Sequence, residues 1–191
     1  MGHPADMDEI HKIARKYNLV VIVDAAQSHF AEYKGRITGS LAATETFSFH
    51  AGKMLTCGEG GIINTDDKSR GDWMRYMRGH AMHKERRFFF PDVGVAFRLT
   101  NVASAIACAQ VERRQEIIER RENFFKRYNN NLRDIPGILL RPVMTWAKLS
   151  PWVFPIRVDE NLFGKNRDQL ANELLKKGIE TRPLYIPLPY L

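Results

Sequence analysis

The spacing of apolar positions changes several times along the chain, and each change marks a new element. Met7, Ile10, Ile13, Ala14 and Tyr17 recur at the three-to-four-residue spacing of one helix face. Asp6 stands where it can cap that helix, Glu9 where it can complete a capping box, and Asn18 closes it. Leu19 to Val23 is an unbroken apolar run, which predicts a strand buried on both faces, as in a parallel α/β sheet. That strand ends at Asp24. From Thr46 to His50 the character alternates, placing Phe47 and Phe49 on one face and Ser48 and His50 on the other. A turn at Gly52 leads directly to Lys53, and glycine-rich Gly58-Glu59-Gly60-Gly61 then opens a second apolar strand, Ile62 to Thr65.

Later segments continue this order. Lys34-Gly35-Arg36 reads as a loop, and Asp66 to Ser69 as a loop and cap. Arg70 to Gly79 predicts a helix with Trp73, Met74 and Met77 inside. His80 to Leu99 has no period and reads as a long functional loop. Within it, the Arg86-Arg87-Phe88-Phe89-Phe90-Pro91 run presents enough apolar surface to be expected against a partner. Thr100-Asn101 opens a long helix whose first turns are small (Ala103, Ala105, Ala107, Ala109) and whose later part carries Ile117, Phe124, Phe125, Tyr128 and Leu132. After a break at Pro136-Gly137, strands are expected at 138–143, 152–158 and 181–186, with a helix at 165–177 closed by Gly178. The expected division is α/β structure over 1–115, part of a larger domain, a connecting helix at 116–136 and an incomplete small α+β unit over 137–191.

Composition narrows the class. With 44% apolar residues in 191, the chain can build an ordinary globular core. No run of eighteen apolar residues is present, and the first residues lack the basic and apolar regions of a signal peptide. Cys57 and Cys108, at unrelated spacing, suggest neither a disulfide framework nor a metal site. A soluble cytoplasmic protein without membrane attachment is expected. The net charge of +7 raises nucleic-acid binding. However, Arg113 to Arg121 is interleaved with Glu112, Glu116 and Glu119, the pattern of a salt-bridged helix face in water. The better expectation is no nucleic acid and a small anionic ligand, with Arg86 and Arg87 as candidates.

Position alone leaves several residues open. Asp24 suits a ligand site at the end of a buried strand, or a cap on the following turn. Lys53 by itself reads as a solvated charge, His50 as a core histidine, and Asn101 as a plain helix cap.

Taken together, Gly2-His3-Pro4-Ala5-Asp6-Met7-Asp8, Val23-Asp24-Ala25-Ala26-Gln27, Phe47-Ser48-Phe49-His50 with Lys53, and Gly58-Glu59-Gly60-Gly61 closely resemble the sugar aminotransferases of the DegT/DnrJ/EryC1/StrS family. Phe97 to Asn101 and Ile179 to Pro183 agree with the same family. The resemblance implies part of the type I aminotransferase fold, a mixed and mainly parallel sheet flanked by helices, plus an incomplete α+β small domain. It implies pyridoxal 5'-phosphate as cofactor. By resemblance Lys53 bonds the cofactor aldehyde and serves as acid and base, and Asp24 pairs with the pyridinium nitrogen. Gln27 lies against the ring, Ser48 holds the phosphate, and Asn101 reaches the phosphate in the neighbouring subunit of a homodimer. His50, Glu59 and Arg86 are candidate substrate residues. A related dehydratase branch carries histidine in place of the lysine, and Lys53 argues against it here. The resemblance implies amino transfer, with glutamate as donor, to a nucleotide-linked 4-keto-6-deoxysugar, most like the perosamine-synthetase group. A 3-aminotransferase of the same family and a non-catalytic fragment or assembly partner are the alternatives.

Departures from the family pattern are Phe30 for a common glycine, Ala42-Ala43 for a usual Gly-Asp pair, and Pro189 for a common histidine. The chain resembles only about the middle half of a family member, so it is expected to be a partial sequence.

Overall fold

The computed structural model describes residues 1–190. Two compact units divide the chain: Met1–Glu119 with Val143–Trp152, and Arg120–Pro142 with Val153 onward.

In the first unit, helix α1 (Met7–Tyr17) starts at Asp6, whose side chain accepts from the Glu9 amide, and ends at Asn18 in the left-handed region. The capping box stays half-formed, because the Glu9 carboxylate turns to Lys12 at 3.5 Å. Strand β1 is Ile22–Asp24 and β4 is Thr44–Ser48; they pair in parallel, with Asp24 opposite Thr46. Strand β5 (Gly61–Asn64) runs antiparallel on the other side of β4. The run from Leu19 is therefore shorter as a strand than its apolar pattern predicts. It is also not buried on both faces: Leu19, Val20 and Ile22 are exposed. Among the described residues β1 has a neighbour on one edge only; Val21 and Val23 pack on the core while Val20 and Ile22, on the other face, stay exposed.

Three short strands escape the apolar pattern. Strands β2 (Glu32–Tyr33) and β3 (Arg36–Ile37) form a hairpin, with β7 (Ala147–Lys148) on the far side of β2. Lys34 and Gly35, expected as plain loop, are the two central turn residues, both at positive φ (49° and 76°). This is the backbone twist that joins tightly turned antiparallel strands. Tyr33 anchors the hairpin under α1: its hydroxyl donates to Asp6 at 2.7 Å and accepts from the Asp8 amide. Met7, Tyr33 and Leu41 form one core cluster, with Trp146 against it.

Helix α2 (Lys68–Arg78) is capped by Asp67. It turns Met74 and Met77 partly inward but leaves Trp73 exposed, contrary to the face its spacing predicts. The single long helix expected from Thr100 is two, α3 (Asn101–Glu112) and α4 (Arg114–Leu132). They are broken at Arg113, where ψ swings to 12°. Residues 80–99 form no regular element, and Phe88, Phe89 and Phe90 are exposed.

In the second unit, β6 (Ile138–Leu140) pairs antiparallel with β8 (Ile156–Val158). Both strands are shorter than expected, since Pro142 and Pro155 offer no amide to extend the ladder. A short helix α5 (Glu160–Phe163) follows, then α6 (Arg167–Lys176), which carries a full capping box between Asn166 and Gln169. The strand expected at 181–186 is absent, because among the described residues no strand hydrogen-bonds to it. Of the segment expected to run to Leu191, that last residue lies outside the described residues.

The loop entering β4 is held from within. Glu45 is fully buried, and its carboxylate accepts from the amides of Gly39 (2.6 Å), Leu41 and Ala42 (3.0 Å). Removing that carboxylate leaves three amides, Leu41 buried and Gly39 and Ala42 partly buried, without their acceptor, at roughly 1–3 kcal/mol for each unsatisfied group. Glu45→Ala is therefore expected to lower the unfolding free energy by about 3 kcal/mol or more, read as a fall in urea midpoint.

Candidate active site

Because β1 and β4 run parallel, their C-terminal ends open on the same edge of the sheet. Asp24 ends β1, and Ser48 ends β4 two residues beyond the one paired with Asp24. Such an edge is where α/β sheets place their ligands. Asp24 is exposed, and its Oδ1 accepts from the Ala26 amide at 2.9 Å. The turn-capping use left open by the sequence is thus realised. One oxygen performs it, and the carboxylate still faces outward at the strand end. Gln27, in the turn that follows, is half-buried and accepts from the Met1 amino group.

Alternation along β4 places its side chains as the pattern predicts. Phe47 and Phe49 share a face, both against the His29 ring at 5.4 and 6.0 Å between centroids. The Ser48 hydroxyl oxygen accepts from the His50 amide at 3.2 Å, which leaves its own proton to donate. His50 is exposed, so it is not a core histidine. Its Nδ1 accepts from the Gly52 amide, and its Nε2 lies 3.6 Å from Glu59.

Lys53 sits in a closed loop. The Phe49 carbonyl accepts from the Cys57 amide (3.0 Å) and from the Thr56 hydroxyl, while the Phe49 amide donates to Gly60 (2.8 Å). Next to Lys53, Met54 and Leu55 are buried, and Leu55 joins Phe49, Cys57 and Ala107 in the second core cluster. Two buried side chains on its C-terminal side and a turn on its other side fix where the lysine leaves the backbone. The Lys53 amide donates to the His50 carbonyl at 2.9 Å, and its ammonium lies 4.4 Å from the centre of the Trp152 ring. Gly60 and Gly61 close this loop tightly. A Cβ on Gly61 would come within 2.8 Å of the Phe47 carbonyl oxygen, and one on Gly60 within 2.5 Å of Leu99.

Asn101 is the first residue of α3 and is not its cap. Thr100 takes that role, accepting from the Ala103 amide at 3.2 Å. The helix start is nevertheless tied to the site, since Leu99, Ala103 and Ala107 all pack in the Phe49 cluster. Arg86 is not brought to the Lys53 loop; its guanidinium stacks on Phe89 at 4.4 Å.

One site residue eluded the sequence reading. His29 is buried at 5% exposure behind β4, its ring hydrogen-bonded to the Ser48 backbone and its Nε2 without a partner. Burial first, and the nearby Lys53 charge second, push its pKa down to about 4. The only available signal was its place five residues after Asp24 in a small-residue segment, and that does not separate it from a surface histidine.

This edge offers an outward carboxylate, a hydroxyl with a free proton and a lysine over an indole rather than in an ion pair. That donor set fits a cofactor with a basic ring nitrogen, an anionic phosphate and an aldehyde. Over residues 1–190 the chain matches the DegT/DnrJ/EryC1/StrS aminotransferase family, and it belongs to that family. It is 39% identical to the GDP-perosamine synthase of Caulobacter vibrioides over 188 residues, which are 98% of this chain and 50% of that protein. It is 32% identical to the GDP-perosamine synthase of Escherichia coli over 98% of this chain and 50% of the relative. Among solved structures it resembles the aminotransferase TlmJ from Streptoalloteichus hindustanus, with a TM-score of 0.87, 26% identity, and 98% of this chain on 50% of that one. It also resembles DesI, crystallised with its TDP-sugar product, with a TM-score of 0.86, 26% identity, and 99% of this chain on 52% of that one. The fold is thus part of the pyridoxal-phosphate type I aminotransferase fold, and the chain spans about half the length of the curated relatives it matches. No described helix is long and apolar enough to cross a membrane.

The depressed pKa of His29 has a direct consequence for stability. Its folded value, about 4, lies below the ordinary 6.5, so between these pH values the unfolded chain binds a proton that the folded chain does not. Stability is unaffected by this group above pH 6.5. It falls on acidification by about 1.4 kcal/mol per pH unit down to about pH 4. Denaturation midpoints measured from pH 7 to 4.5 are expected to show this slope, and His29→Phe to flatten it.

Proposed function

We propose that the complete protein transfers an amino group from glutamate to the keto carbon of a nucleotide-linked 4-keto-6-deoxysugar, using pyridoxal 5'-phosphate, as in perosamine-type sugar formation. The observation that carries this reading is the parallel pairing of β1 with β4. It supports the reading by ending Asp24 and Ser48 on one sheet edge from strands more than twenty residues apart, with Lys53 in the loop that leaves β4. Similarity to the two GDP-perosamine synthases supports the sugar class.

When bound, the cofactor supplies an electron sink that lets an amino group pass through its aldehyde carbon. The chain's own residues do the rest. Lys53 Nζ would hold the cofactor at its aldehyde carbon, with loss of water, and once released would move a proton at the substrate carbon. Asp24 holds a proton on the ring nitrogen, so that the ring stays electron-withdrawing. Gln27 would lie against the ring. Ser48 donates its hydroxyl proton to the phosphate, and Asn101, at a helix start where backbone amides point outward, reaches the phosphate of a second subunit in a homodimer. His50 with Glu59, beside the lysine loop, contacts substrate. Acting on nucleotide sugars, the protein works in the cytoplasm.

The deciding experiment adds pyridoxal 5'-phosphate to the purified chain, reduces with borohydride and maps the mass increment. It is expected on the peptide carrying Lys53, and to vanish in Lys53→Ala. Asp24→Asn is expected to keep the label but cut amino transfer, assayed in the full-length protein, by a factor of about a hundred or more. An increment on other lysines alone would remove the reading.

A further inference from the structure

We propose that Trp152 is a positioning residue for Lys53, seating both the lysine head group and the backbone that carries it. The inference rests on the reading of Lys53 as the lysine that bonds the cofactor, and its test is independent of that reading.

Two contacts from one side chain make the case. The Trp152 ring lies under the Lys53 ammonium, 4.4 Å from Nζ to centroid, within the range where an indole face attracts a cation. Its Nε1 donates to the Gly52 carbonyl at 2.6 Å, the residue just before the lysine. The Gly52 carbonyl and the Lys53 N–H belong to one peptide, so Trp152 on the carbonyl and the His50 carbonyl on the N–H hold that peptide from its two sides. A lysine stem has four rotatable carbons, and an unheld one samples many rotamers. The indole restricts that search at both ends, backbone and ammonium.

The arrangement is not an accident of chain proximity. The other four cation–aromatic pairs among the described residues join residues within three positions of each other. Trp152 reaches Gly52 across 100 residues. Its own position is secured: buried Ser150 donates through its amide to the Gly2 carbonyl at 2.8 Å and through its hydroxyl to Met54 Sδ at 3.7 Å. Gly2 allows this approach, since a Cβ there would come within 2.4 Å of the Ser150 carbonyl oxygen. Met54 in turn follows Lys53. The segment carrying Trp152 is thus fastened to the lysine loop on both sides of the lysine.

The test uses the chain without cofactor. Lysines are reductively dimethylated with ¹³C-formaldehyde, which keeps their charge, and the Lys53 signal is assigned by its loss in Lys53→Arg. Ring current is expected to displace that signal upfield of the other lysines. Trp152→Phe, which keeps a ring but lacks the N–H, should retain a displaced signal while the Lys53 amide exchanges roughly fivefold faster, the weight of one net hydrogen bond. Trp152→Leu should return the signal to the cluster. A wild-type Lys53 signal already within the cluster overturns the proposal, as does an unchanged displacement in Trp152→Leu. Unaltered amide exchange in Trp152→Phe overturns the backbone half. Should Trp152→Leu not fold, the wild-type and Trp152→Phe spectra decide by the same criteria. Failure of the cofactor reading would leave these signals as they are, because no cofactor is present.

Discussion

The site depends first on a ladder of backbone hydrogen bonds, the parallel pairing of β1 with β4. An antiparallel pairing would put the end of one strand beside the start of the other, and Asp24 would then face away from Ser48. With the parallel register, Asp24 opposite Thr46, a carboxylate and a hydroxyl leave the same edge a few residues apart, and the lysine loop begins there. One strand direction therefore sets the chemistry before any side chain is chosen.

Burial then converts that edge into a fixed geometry. Phe49, the residue after β4, starts the lysine loop, and its amide and carbonyl close that loop while its ring joins the core. Leu55 and Met54 sink beside it, so Lys53 emerges from a backbone with little freedom. Glu45 does the same at the other end of β4. A fully buried carboxylate is costly unless its oxygens are satisfied, and three amides of the preceding loop satisfy them. The strand is thus tied at both ends by groups that could not be removed without leaving polar atoms dry.

The elements that carry chemistry were legible because their signals are local. Helix α1 was visible in its period and its Asp6 cap; the alternation of β4 assigned Phe47 and Phe49 to one face; the glycines after Lys53 marked the turn. What was not legible depends on partners distant in sequence. Strands of two residues, such as β2 and β3, are too short to show a period, and β7 joins them from more than a hundred residues away. Leu19 to Val23 is apolar as a covered strand should be, but here it lies at a sheet edge, so its burial could not be read from its own residues. His29 belongs to the same class: only the fold puts its ring between two phenylalanines and within the field of Lys53.

The departures from the family pattern can be weighed the same way. At Ala42-Ala43, where the family usually has Gly-Asp, the structure uses the Ala42 amide toward Glu45 and the Ala43 carbonyl toward Thr65 and Arg70. Any residue supplies those groups, so side-chain identity there is lightly constrained. Phe30 is a different case. Its φ is 60°, in the left-handed region that a glycine enters freely and that costs another residue roughly 1–2 kcal/mol. Phe30 also packs against the Phe49, Leu55 and Cys57 cluster, and a fully buried phenylalanine contributes about 1.5–3 kcal/mol. Half-buried as it is, its packing returns an amount of the same size as the strain. A glycine would remove both terms together. The position can therefore hold phenylalanine without loss of fold, and the added ring thickens the apolar floor on which the lysine loop rests.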